Sequence, residues 1–176
     1  MAQSSNGRIE VGNTGSQVRL VVGGRATHLI SQPLREFAAL MIRRGYRDFV
    51  ADLADCVYID STFAGVLAGI SLKLKEVGGS LTLQRAPDRC HELLTTLGLE
   101  PLFVFDGAPL SGPPLDVPLR LLPMAARSRE AWAGTILEAH KLLAQTETAH
   151  DGRFEDVVEF LEKSVSPVGR RVKFRN

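Results

Sequence analysis

Near the start of the chain, the apolar-rich runs Ile9 to Val11 and Val18 to Val22 read as two short strands, and Gly12-Asn13-Thr14-Gly15 between them carries hairpin-turn chemistry. Gly23-Gly24 is expected to end the second strand. A helical period follows. Leu34, Phe37, Ala38 and Met41 fall on one helical face, with Ser31 and Pro33 expected to open the helix and Gly45 to stop it. Phe49 to Leu53 reads as a short apolar strand interrupted by Asp52, and Val57-Tyr58-Ile59 continues extended up to Asp60. Leu67, Ile70, Ser71 and Leu74 mark the stripe of a second helix, widened by Val66 and Val77 and stopped at Gly78-Gly79. Leu81-Thr82-Leu83 is a strand. A third helix, with Cys90, Leu93, Leu94 and Leu97 on one face, is expected to be capped by Asp88 and ended by Gly98, and Leu102 to Phe105 adds a last apolar segment.

Strands alternating with helices after an opening hairpin predict an α/β fold: a mixed sheet flanked by helices, with a C-terminal helical extension. Residues 1–8 are polar and expected to be a disordered lead, and 9–106 form the module. Gly107, Pro109, Gly112, Pro113, Pro114 and Pro118 then crowd one stretch, so that 107–120 reads as a linker or an extended wrap. Residues 121–168 read as a helical hairpin. Ser128 can cap its first helix, which carries Trp132, Thr135, Ile136, Ala139 and Leu143 on one side and runs to about Gln145. After a turn at Asp151-Gly152, Phe154, Val157, Val158 and Leu161 mark the second helix, ended by Pro167. Neither helix can bury its apolar face alone, so both must dock on the module or on another chain. Residues 169–176 form a basic tail, with Arg170, Arg171, Lys173 and Arg175 read as solvated charge.

Composition narrows the function. The chain has 176 residues, 44% of them hydrophobic and 23% charged, enough to bury a core without metal or disulfide staples. A net charge of +1 argues against nucleic-acid binding driven by bulk electrostatics. The N-terminus has no apolar leader and no run approaches the ~20 apolar residues of a membrane span, so a cytoplasmic protein is expected. Cys56 and Cys90 lie far apart in sequence and read as reduced, buried thiols. The histidines His28, His91, His140 and His150 are scattered, with no metal-ligand spacing. No phosphate loop, dinucleotide fingerprint or nucleophile elbow occurs. Asp52, Asp55 and Asp60 have no evident common focus. No catalytic residue, cofactor or metal is therefore expected.

One junction stands out. Tyr58-Ile59-Asp60-Ser61-Thr62 sits where an extended segment hands over to a helix, and there the first helical N–H groups lack partners. Asp60 and Ser61 are suited to that place simply as caps. The functional alternative is that the Ser61 hydroxyl is exposed and can be phosphorylated, gaining about 1.5 to 2 negative charges. A helix N-terminus tolerates such an anion while Asp60 repels it, so the charge shown to a partner changes more than the fold does.

At this point the sequence resembles the STAS domain of bacterial anti-sigma factor antagonists. The resemblance rests on Phe49-Val50-Ala51-Asp52-Leu53, on Val57-Tyr58-Ile59-Asp60-Ser61-Thr62-Phe63-Ala64-Gly65-Val66-Leu67, on Lys75-Glu76-Val77-Gly78-Gly79-Ser80-Leu81 and on Leu93-Leu94-Thr95-Thr96-Leu97-Gly98-Leu99. It extends more weakly back to about Ile9. It implies a non-catalytic module in which Ser61, or alternatively Thr62, is the phosphoacceptor of a partner that is both anti-sigma factor and serine kinase, with a phosphatase resetting the cycle. The partner-binding residues it implies are Thr27, Asp60, Ser61, Thr62, Phe63 and Gly65. Phe63 stands where the family has glycine, which would place a bulky side chain on the binding face, and Thr27 stands where the family has a carboxylate. A second reading is a non-phosphorylated scaffold or adaptor that binds protein through Trp132, Ile136, Phe154, Val158 and Leu161. A third, ligand binding or enzyme activity, is argued against by the missing phosphate loop.

Overall fold

The computed structural model of the chain describes residues 6–108, 114–123 and 129–145. The second helix of the expected C-terminal hairpin, the basic tail, Ser128 and residues 1–5 lie outside them. Seven strands, β1 (Arg8–Asn13), β2 (Gln17–Ala26), β3 (Asp48–Asp52), β4 (Cys56–Ile59), β5 (Ser80–Gln84), β6 (Val104–Asp106) and β7 (Val117–Leu121), alternate with helices α1 (His28–Arg43), α2 (Ser61–Glu76), α3 (Asp88–Thr96) and α4 (Arg129–Ala144). The strands form one mixed sheet in the order β6-β5-β3-β2-β1-β7, and β4 pairs with β2 off that path.

Register explains the core. Parallel pairing sets Val18 beside Phe49 and Phe49 beside Leu81, while Leu20, Ala51 and Leu83 form the next row. All six are buried on one face, where Leu34, Ala38, Leu67 and Leu74 of α1 and α2 join the same cluster. Glu10, Arg19 and Thr82, of opposite parity, remain partly exposed. Asp52 is the exception within β3: it is buried and accepts two N–H groups of the Arg85 guanidinium. The three aspartates go to different places, since Asp55 pairs with Arg8 and Asp60 caps helices. They make no common carboxylate site.

Several boundaries depart from expectation. The lead is not wholly free, because Asn6 bridges to Arg25 and Arg8 already opens β1. Gly23-Gly24 does not end β2. The strand runs on to Ala26, and Gly24, at φ +72°, sits at the irregularity where β2 exchanges β3 for β4 as its parallel partner. Helix α1 starts one turn before Ser31, at His28, because the Thr27 side chain caps it; Ser31 Oγ instead donates to Thr27 O at 2.9 Å. Pro33 is carried inside the helix. Asp88 makes no side-chain cap; it occupies the first turn of α3, where its charge still favours the helix dipole. Part of the stretch read as a linker is strand β7, paired antiparallel with β1. Pro118 is tolerated there because the strand lies at the sheet edge.

The two cysteines meet in space. Cys90 Sγ lies 3.9 Å from Cys56 O, and both thiols are buried and free. Their mutual hydrogen bond pushes the Cys90 thiol well up and holds the Cys56 thiol down. Among the described residues no helix is long and apolar enough to cross a membrane.

Candidate functional site

The long β2 positions the site. Its second half runs parallel to β4, so that Ala26 pairs with Ile59 and Asp60 N donates to Ala26 O at 3.1 Å. Two neighbouring strands therefore end together, and each hands over at once to a helix. Thr27 is the N-cap of α1 and Asp60 the N-cap of α2. Asp60 serves both: its Oδ1 accepts from Phe63 N at 2.8 Å and its Oδ2 from His28 N at 2.9 Å. One carboxylate thus satisfies an orphan donor at two helix starts. The expected cap role of Asp60 is met, and it reaches further than a sequence reading of one junction allows.

Ser61 follows as the first residue of α2 and is half-buried. With Val57, Tyr58, Asp60, Arg89 and Leu93 it lines a surface cleft of about 310 Å³. On its other side stands His140 of α4, with Nε2 3.2 Å from Ser61 Oγ. The opposite ring nitrogen, Nδ1, lies 2.8 Å from Ile136 O. A carbonyl can only accept, so Nδ1 carries the hydrogen and, in the neutral ring, Nε2 accepts the Ser61 hydroxyl.

The remaining expected residues separate. Thr27 and Asp60 adjoin Ser61, as described. Thr62 is buried, at 5% exposure, which disfavours it as an acceptor. Phe63 does not face a partner: its side chain is fully buried in the core, and the bulk expected on the binding face is turned inward. Gly65 lies on the outer side of α2 but is covered, since a Cβ there would stand 2.8 Å from both Cβ and O of Ala139. Among the described residues no three His, Cys, Asp or Glu side chains converge to hold a metal ion.

Sequence reasoning missed His140 and Arg89. By sequence spacing His140 reads only as a candidate metal ligand, with no second ligand spaced to join it. Its place in the helical row of Ile136 and Leu143, facing the small-residue stripe Ser61, Gly65 and Gly69 at four-residue spacing, is the signal that could have found it. Arg89 offered none, because cleft and cation come together only through the approach of α3 to β4.

The comparisons bear on this geometry. Among solved structures, a Thermotoga maritima protein described as a "putative anti-sigma factor antagonist" superposes with a TM-score of 0.53 at 17% identity, covering 57% of this chain and 86% of its own. The antagonist SpoIIAA in its unphosphorylated form gives 0.52 at 17% identity, covering 57% and 88%. The Bacillus cell fate determinant SpoIIAA in its phosphorylated form gives 0.50 at 19% identity, covering 57% and 91%. At such identities these matches speak for the fold. No curated protein matches the chain. The family model described as "Mlab, STAS domain" matches residues 9–104, more than half of the sequence. With its mixed sheet, its two helices sprung from paired strand ends and this match, the chain belongs to the STAS-domain family.

Proposed function

We propose that this protein is a partner-switching regulator that binds an anti-sigma factor with serine kinase activity through the face around Thr27, Asp60, Ser61 and Gly65. Phosphorylation of Ser61 breaks that contact, and a phosphatase restores it. The observation that carries the reading is the setting of Ser61: a hydroxyl at the very start of α2, bordering a cleft, beside a carboxylate already committed to two helix caps. A phosphoryl group there adds about 1.5 to 2 negative charges at the surface while the caps stay in place. Arg89 lines the same cleft and offers a cation to the new group. That SpoIIAA has been solved in both an unphosphorylated and a phosphorylated form supports the comparison.

The scaffold reading draws less support. Ala139 and Leu143 are buried against the module's own core, and Trp132 meets the His28 ring edge-on at 5.9 Å. Of that interaction stripe, Trp132 is thus engaged within the chain. The test is to incubate the full chain with serine kinases encoded beside it and to map phosphate by mass spectrometry. Modification at Ser61 that vanishes in Ser61→Ala is expected; a kinase that binds the chain and modifies only other residues contradicts the proposal.

A further inference from the structure

Helix α4 lies over the face just described. Besides the burial of Leu143 in the core, several contacts hold it there. His140 meets Ser61 Oγ, Ala139 rests on Gly65, Glu138 pairs with Arg35 of α1, and Trp132 packs edge-on against His28. Between them they cover the starts of both helices, which Asp60 joins. The groove between α1 and α2 beneath α4 is lined by the small residues Gly65, Gly69, Ala38 and Ala39, with Ile42, Val66 and Ile70 beside them. Small residues let a helix approach closely. A mainly apolar cavity of about 150 Å³, open to solvent, lies beside this contact, lined by residues of α1, α2 and α4.

These features together describe a seat for a helix. Uncovering it exposes mostly small side chains, along with Val66 and Ile70 and, on α4 itself, Ala139 and Leu143, while Phe63, Leu67 and Leu74 of α2 stay buried within the module. The expected partner contact includes Ser61 and Gly65, the two residues that His140 and Ala139 of α4 cover, so both contacts cannot be made there at once. We infer that α4 is an autoinhibitory occupant of a helix-receiving groove, and that the partner binds by displacing it with a helix of its own. The chemistry of α4 defines that helix: a small residue over Gly65, an acidic residue one position earlier facing Arg35, and a hydrogen-bonding side chain at Ser61. While α4 is seated the Ser61 hydroxyl is engaged by His140, and a kinase cannot close around it. This inference rests on the proposed function for the identity of the partner, but the cover itself can be tested without one.

The test uses the full chain with Ser61→Cys as a reporter, because Cys56 and Cys90 are both only 1% exposed. A bulky maleimide is added and labelling at position 61 is followed by mass spectrometry, with and without Ala139→Glu, which drives a charge against Gly65. Ala139→Glu is expected to speed labelling about tenfold while hydrogen exchange of β3 and β5 amides stays unchanged. His140→Ala, a milder change, is expected to give a smaller rise in the same direction. Unchanged labelling in a folded Ala139→Glu chain overturns the inference. So does loss of β3 and β5 protection, which would make α4 an integral part of the core. In a second arm, a kinase that modifies Ser61 is expected to act faster on Ala139→Glu. A set of kinases that modifies neither form counts against the proposed function, while labelling still decides the cover.

Discussion

The two faces of α2 are built from different materials. Toward the sheet the helix presents Phe63, Leu67, Ile70 and Leu74, every one of them buried in the module's core. Toward α4 it presents Ser61, Gly65 and Gly69, a stripe with almost no side chain, flanked by Val66 and meeting Ala139 and His140. Burial of large apolar side chains contributes roughly 1.5–3 kcal/mol each, whereas a glycine contributes close contact and little area. The difference teaches that burial alone does not identify the core. Both faces are covered, but one is covered for stability and the other by an element that the module can lose.

The largest expected effect falls on the inner face. Phe63→Ala should lower the stability of the whole module by about 3–5 kcal/mol in chemical denaturation, because it removes a fully buried ring. The next falls where the faces meet: Asp60→Ala strips an acceptor from two helix starts and should cost about 1–3 kcal/mol, more than an ordinary single cap. The outer face should answer differently. Gly65→Ala places a methyl group 2.8 Å from the backbone oxygen of Ala139, so α4 should detach, seen as faster amide exchange over 135–143. The module itself should hold or gain up to about 1 kcal/mol, since alanine favours the helix over glycine. A loss as large as that of Phe63→Ala would erase the distinction between the faces.

Smaller still is Ser61→Ala, which removes the hydroxyl held by His140 and should cost about 0.5–1.5 kcal/mol, confined to the seating of α4. The smallest effect is a control far from both faces. The N–H of Ala108, and then Gln84, hold the Asp106 carboxyl below the usual range. A carboxyl lowered by folding stabilises above its ordinary value near ~3.9, and that contribution is lost as pH falls through the lowered one. Asp106→Asn should therefore be slightly less stable than the unchanged chain at pH 7, and the gap should close in acid, whether or not α4 is seated. Thermal melts at both pH values check this.

Much of this architecture was legible in the chain. The apolar run Val18 to Val22, the stripe of Leu67, Ile70 and Leu74 and the glycine stop at Gly78 each report a local preference, and the structure has a strand, a helix and a helix end there. The junction at Asp60-Ser61 was legible for the same reason, because a cap is a short-range device. What escaped is what pairing decides. Gly23-Gly24 reads as a stop, yet β2 continues because β4 waits beyond it to accept its hydrogen bonds. Proline-rich residues before Leu121 read as a linker, yet the free edge of β1 draws Val117–Leu121 into the sheet. Phe63 reads as a surface intrusion, but its position on the helix turns it to the core, and only the three-dimensional frame reveals that. His140 and Ser61 are joined by a contact spanning 79 positions, which no local pattern encodes.

Native-state hydrogen exchange of the full chain, followed residue by residue in low denaturant, tests the central distinction most directly. The account expects amides of α4 between 135 and 143 to exchange through a local opening well before those of β3, β5 and the body of α2. It also expects Ser61→Cys to gain maleimide reactivity in step with that opening. Protection of α4 equal to that of the sheet, lost only when the whole module unfolds, would contradict it.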